Sequence, residues 1–108
     1  MLNHVVLVGR LAADPELKVL ESGLTVCTVT LAVNRSFKEL NGDLETDFIK
    51  CTLWEGIATA SAEYCKKGSI IGVKGRLATR DYVFGEGEEK KKFKIIEVIA
   101  ERVSFIKV

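Results

Sequence analysis

Four residues at alternate positions, Phe48, Lys50, Thr52 and Trp54, put two large aromatics, a cation and a hydroxyl on one side of an extended chain, because successive side chains of a strand point to opposite faces. The residues between them, Ile49, Cys51 and Leu53, form an ordinary apolar face. Lysine is rarely buried without a partner, so the mixed face is read as the outer one. A second stretch repeats the arrangement: Lys74, Arg76, Arg80 and Tyr82 share one parity, and Ile71, Val73 and Leu77 take the other. Arg35 and Phe37 add the same two residue types near the end of a third stretch. Rings interleaved with cations suit the binding of single-stranded nucleic acid. An aromatic ring stacks on the π-face of any unpaired base, worth about 1–3 kcal/mol per base. Lys and Arg at intervals pair with the phosphates and release counterions, and arginine also stacks. The alternation also admits a blander account, in which the rings pack against a loop or a partner subunit and the cations are merely solvated. Phe93 and Phe105 lack cationic company and are read as core or interface.

Other chemistries find few residues to work with. Acid–base or nucleophilic catalysis needs a base near a nucleophile; the one histidine, His4, lies at the edge of a strand-like run, and no carboxylate pair is suggested. Gly68, Gly72 and Gly75 lack the spacing and the Lys-Ser/Thr end of a phosphate-binding loop. Cys27, Cys51 and Cys65 have no C-x-x-C spacing and are expected to be buried free thiols in a reducing cytosol. No metal and no cofactor is expected. The net charge is +1, yet five basic residues and no acidic one lie between Lys66 and Arg80, so a basic groove is compatible with a neutral chain.

The chain of 108 residues is 47% hydrophobic and 29% charged, which fits one soluble domain over 1–108. Apolar runs such as Val5-Val6-Leu7-Val8 are too short to cross a bilayer, and no signal peptide is visible. Residues 3–11, rich in β-branched side chains, read as a first strand. Asp14-Pro15-Glu16 breaks it and Glu21-Ser22-Gly23 marks a turn. Residues 24–37 form a second strand, Asn41-Gly42-Asp43 a hairpin, and 45–54 a third strand. Residues 57–67 turn helical, with Ile57, Ala60, Ser61, Tyr64 and Cys65 on one face and Gly68 as a C-terminal cap. Residues 69–82 and 93–107 are the fourth and fifth strands, joined by a charged hairpin that begins at Gly85-Glu86-Gly87. Three strands, one helix and two strands is the order of an all-β, five-stranded Greek-key OB-fold barrel, with its helix between strands three and four. The first strand carries apolar side chains on both parities around Val5 to Val8, a pattern that invites pairing with another chain.

The segments Met1 to Leu11, Asp14-Pro15-Glu16-Leu17, Thr30 to Phe37, Asp47 to Trp54, Lys67-Gly68-Ser69 and Gly75 to Tyr82 resemble the bacterial single-stranded DNA-binding protein family, in one register over nearly the whole chain. The resemblance implies stacking positions at Phe37, Phe48, Trp54 and Tyr82. It also implies a cytoplasmic, nucleoid-associated homotetramer of OB-folds, wrapped by single-stranded DNA during replication, recombination and repair, with the first strand paired to a neighbour's. Arg35, Lys50, Lys74, Arg76 and Arg80 are the cations expected to meet DNA. Two features depart from the family pattern. The sequence ends at Val108 without the flexible linker and acidic tip that recruit other proteins. Either such a tail has been removed or the chain resembles the short, tail-poor paralogues linked to DNA uptake, so protein partners through that tail are not expected. Glu55 directly follows Trp54, and its charge is expected to weaken phosphate binding nearby.

Overall fold

Alternating β-branched residues set the first strand, β1 (Val5–Leu11), whose inward side chains reach the core while Val6 and Val8 stay exposed. The computed structural model describes residues 1–38 and 44–106, and the side chains of 36–38 and 44 lie outside that description. After β1 come β2 (Glu16–Val19), β3 (Thr25–Lys38), β4 (Leu44–Trp54), α1 (Glu55–Tyr64), β5 (Ile70–Phe84), a single 3-10 turn (Gly87–Glu89) and β6 (Lys91–Ile106). The strands form one sheet in the order β1-β5-β6-β4-β3-β2. β1 meets β3 again through Arg10↔Ala32 and Leu11↔Leu31, so five long strands close into a barrel with α1 between β4 and β5. This is the OB-fold barrel expected from the element order. The pairing of β4 with β6 is parallel and short, Cys51↔Val98 and Thr52↔Ile99; every other pairing is antiparallel.

The core fills from alternate positions. Leu31, Cys51, Leu53, Ile71, Val73 and Val98 are among its fully buried members. Cys27 and Cys51 are buried free thiols, and burial raises both, Cys51 to about 11. Cys65 is only half-buried, contrary to expectation, because it follows the last turn of α1 at the surface.

Several boundaries differ from the sequence reading. Between the break at Asp14-Pro15-Glu16 and the turn at Glu21-Ser22-Gly23 the sequence reading places no strand, yet β2 lies there. It is a short edge strand whose side chains are all exposed, and its Glu-Leu-Lys-Val alternation is only four residues long; its pairing with β3 starts at Glu16↔Thr28, just beyond Pro15, where a missing N–H does no harm. The helix runs 55–64 rather than 57–67. It buries Ala58 and Ser61 and leaves Tyr64 exposed. Gly68 does not cap it: at φ +89°, Gly68 serves the Lys66–Ser69 turn, closed by the Ser69 N–H on the Lys66 carbonyl at 2.9 Å. The hairpin expected at Asn41-Gly42-Asp43 lies outside the described residues, as do 107 and 108. No described helix is long and apolar enough to cross a membrane.

The fifth strand changes partner along its length. Its first six residues pair with β1, from Val5↔Gly75 to Arg10↔Ile70, and form barrel wall. From Arg76 on it pairs only with β6, which still pairs with β4 at Val98 and Ile99; beyond Ala78 the two strands run out as an arm. At the junction the register slips, with Lys74 opposite Arg102 but Gly75 opposite Ala100, leaving Glu101 as an extra residue on β6. Such a bulge bends and twists the pair. A Cβ on Gly75 would lie 2.0 Å from the Ile99 carbonyl oxygen, so only glycine fits there. Leu77, expected on the core side, lies past this bend and is exposed; its backbone N–H and carbonyl are held by the Asn3 amide at 2.9 and 2.8 Å.

Gly75→Ala should therefore cost about 3 kcal/mol or more of folding free energy, the upper end for overpacking. Gly72→Ala, whose added Cβ finds nothing closer than 3.8 Å, should be close to neutral. Urea unfolding of both variants checks the pair, and equal costs would contradict the close-approach account.

Candidate nucleic-acid interface

On β4 the expected alternation holds. Ile49, Cys51 and Leu53 turn inward, while Phe48 is 67% exposed, Lys50 is exposed and Trp54 is 37% exposed. Thr52 is the exception, buried beneath its neighbours and donating its hydroxyl to Glu97 Oε2 at 2.8 Å.

Directly paired residues share a face, so this surface can be followed across the sheet. Thr52 pairs with Ile99 of β6. Alternate residues of β6, namely Ile99, Glu97, Ile95 and Phe93, lie opposite Arg76, Ala78, Arg80 and Tyr82 of β5. Phe48, Lys50, Trp54, Arg76, Arg80 and Tyr82 thus belong to one outward surface of three neighbouring strands. Glu97 ties it together, because the oxygen that receives the Thr52 hydroxyl also lies 3.4 Å from Arg80 Nε. The Glu97 side chain is 13% exposed, whereas that of Arg80 is 59% exposed. Phe48 and Trp54 sit six residues apart on one strand, about 20 Å at the usual rise.

The other two expected cations have different settings. Arg35 is on the parity of Val33 and Leu31, which face the core lower on β3, and beyond the barrel rim it meets Asp47 through Nη2 to Oδ1 at 3.0 Å. The hydrogen bond to Arg35 holds the Asp47 carboxyl below the usual carboxylate range, and Asp47 in turn raises Arg35. Lys74 precedes the bend, opposite Val6 and Arg102, and lines a shallow groove with Val6, Val8, Arg102 and Ile106. Phe37 lies on β3, but its side chain falls outside the described residues. Glu55 opens α1 rather than continuing the strand: at φ +53° its carboxylate accepts the Thr25 N–H at 2.8 Å, so the charge is occupied by backbone and suits the positive end of a helix.

Two aromatics set aside in the sequence reading have definite places. Phe105 tilts against Tyr64, with centroids 5.8 Å apart at 55°. Phe93 stands opposite Tyr82 on the arm, each 49% exposed. The sequence signal for Phe93 was its distance from the Tyr82 side of the hairpin, which becomes informative only once the register of the arm is known.

Among the described residues no cluster of three or more His, Cys, Asp or Glu could hold a metal. Residues 2–106 match the model of the single-strand binding protein family. The single-stranded DNA-binding protein B of Bacillus subtilis (strain 168) is 49% identical over 106 residues, 98% of this chain and 91% of that protein. A single-stranded DNA-binding protein of Bacillus cereus is 49% identical over 98% of this chain, and single-stranded DNA-binding protein 3 of Listeria innocua likewise. The chain spans 61% and 64% of the length of those two. With a match that runs almost end to end and a barrel that presents rings and cations on one sheet surface, the chain belongs to the single-strand binding protein family.

Proposed function

We propose that this chain binds single-stranded DNA without sequence preference. Unpaired bases stack on Phe48, Trp54 and Tyr82, with Phe37 as a further ring, and phosphates pair with Lys50, Arg76 and Arg80, with Arg35 and Lys74 meeting DNA farther along its path. The observation that carries this reading is the Thr52–Glu97–Arg80 link, which makes the rings of β4 and β5 parts of one surface. Proteins of this binding mode protect exposed strands in replication, recombination and repair, and that is the role proposed here, in the bacterial cytoplasm on nucleoid DNA. The relatives' names support the ligand. Stacked platforms reach only bases that are not already paired, so a competition between poly-deoxythymidine and a duplex of equal length tests the proposal directly. Single strands should win by a wide margin, and equal affinity would refute it.

The cations differ in how they should act. Lys50 has no ion-pair partner among the described residues, so Lys50→Ala should make the salt dependence of binding shallower by roughly 0.7 on single strands. Arg80 already has the Glu97 carboxylate beside it, so a phosphate there displaces a protein anion as well as salt ions, and Arg80→Ala should flatten the slope by less. Binding titrations at several salt concentrations measure both; a slope unchanged in Lys50→Ala would remove that residue from the site.

We also propose a homotetramer. Val6 and Val8 are exposed on β1, and beyond its pairing with β5 the stretch Val5–Gly9 has a second edge that pairs with no described strand. Such an edge is open to a second copy, and closed symmetry is the usual outcome. Light scattering at micromolar concentration should report the tetramer mass, and Val6→Asp should lower it. A monomeric wild-type protein would reject the assembly.

A further inference from the structure

The arm formed by β5 and β6 beyond Ala78 has two unlike faces. On one, Asp81 lies 3.2 Å from Lys92 and 4.0 Å from Lys94, with exposed aliphatic Val83 and Ile96 beside them but no ring. The other carries Arg80, Tyr82 and Phe84 from β5 opposite Ile95, Phe93 and Lys91 from β6. Three of these six are aromatic, and Phe84 is 65% exposed. A two-stranded ribbon gains little by showing three rings to water. The rings do not satisfy one another either, since the one ring–ring contact among the described residues is Tyr64–Phe105. Tyr82 and Phe93 are nearest cross-strand neighbours, whereas Phe84 and Phe93 are diagonal neighbours, about 7–8 Å apart. That spacing separates the points where the two side chains leave the backbone, and from it both rings can turn toward one flat base.

From this geometry we infer that Phe93 and Phe84 form a distal subsite for one unpaired base of the bound strand, continuing the platform of Tyr82 out along the arm. The occupant is a nucleotide of the same strand rather than a protein segment. The rings are continuous with the surface of Phe48, Trp54 and Tyr82, and Lys91, opposite Phe84, supplies a cation at the place where the next phosphate falls. Glu86, Glu88 and Glu89 at the tip bound the subsite, since a phosphate carried past Phe84 would meet like charge. The inference rests on the proposed binding of single-stranded DNA and adds a position to it.

The test uses the full chain with Trp54→Phe and Phe93→Trp combined, so that its single indole reports from the arm, with labelled poly-deoxythymidine followed by anisotropy in the same samples. Saturating DNA should reduce indole emission roughly two-fold or more through base contact, and Phe93→Ala and Phe84→Ala should each weaken binding of the long strand by roughly five-fold or more, the loss expected from one base stack. Phe93→Tyr should restore the affinity, which a general defect in the arm would not allow. A bound strand with unaltered emission, together with unchanged affinity in Phe93→Ala, would overturn the subsite and leave the proposed function standing. Wild-type protein that bound no single strand would take down both.

Discussion

Gly75 lies so close to the Ile99 carbonyl that no side chain fits between them, and the rest of the molecule is arranged around that approach. One strand pair has to serve as barrel wall against β1 and then leave as a free arm. The extra residue at Glu101 gives the bend, and the missing Cβ at Gly75 lets the two backbones close over it. Lys74 and Arg76, two residues apart with the same parity, lie on the outward side of β5 before and after that bend. Lys74 joins the groove beside Val6 and Val8, while Arg76 joins the surface that runs on through Arg80 to Tyr82. A second close approach, with the Ala32 carbonyl only 2.6 Å from where a Cβ on Gly9 would sit, lets β1 cross β3 and close the barrel.

The electrostatics of the outward surface follow from the same geometry. A chain of near-zero net charge gains no long-range field to gather DNA, so its cations must act locally. Several are held by carboxylates before any ligand arrives: Arg80 by Glu97, Arg35 by Asp47, and Lys92 and Lys94 by Asp81. Ion pairs this exposed contribute little to folding. Their effect is to orient the side chains and to set how much each cation gains by exchanging a carboxylate for a phosphate. The rings carry no such counterpart and meet water directly, so in the proposed binding mode stacking supplies most of the affinity.

Much of the barrel was legible in the sequence because half-buried strands leave a two-residue period. β4 shows it most cleanly: Ile49, Cys51 and Leu53 alternate with Phe48, Lys50 and Trp54, and the fold respects that division. Reading failed where tertiary context takes over from local pattern. Leu77 follows the parity of Ile71 and Val73 and yet is exposed, because the strand has left its pairing with β1 by then. Thr52 sits on the outward parity and yet is buried, because Glu97 of a strand 45 residues away covers it. β2 alternates Glu16, Leu17, Lys18 and Val19, but four exposed residues directly after a proline are too short a run to stand out as a strand. Arg35 was grouped with the mixed face by residue type, whereas its strand parity pairs it with Asp47. Phe93 was set aside because its neighbour Tyr82 lies across a hairpin whose register a single sequence does not display.

Whether the exposed rings of the three-stranded surface stack on bases can be read at Trp54. It is the only tryptophan in the chain, so emission excited at its red edge reports on one ring at the edge of that surface. Stacking predicts strong quenching as poly-deoxythymidine is added. It also predicts that Trp54→Ala weakens binding by about 1–3 kcal/mol while thermal unfolding stays close to wild type. Emission that stays unchanged at saturating DNA, with a Trp54→Ala protein that loses about 3–5 kcal/mol of stability as a core tryptophan would, would contradict the account.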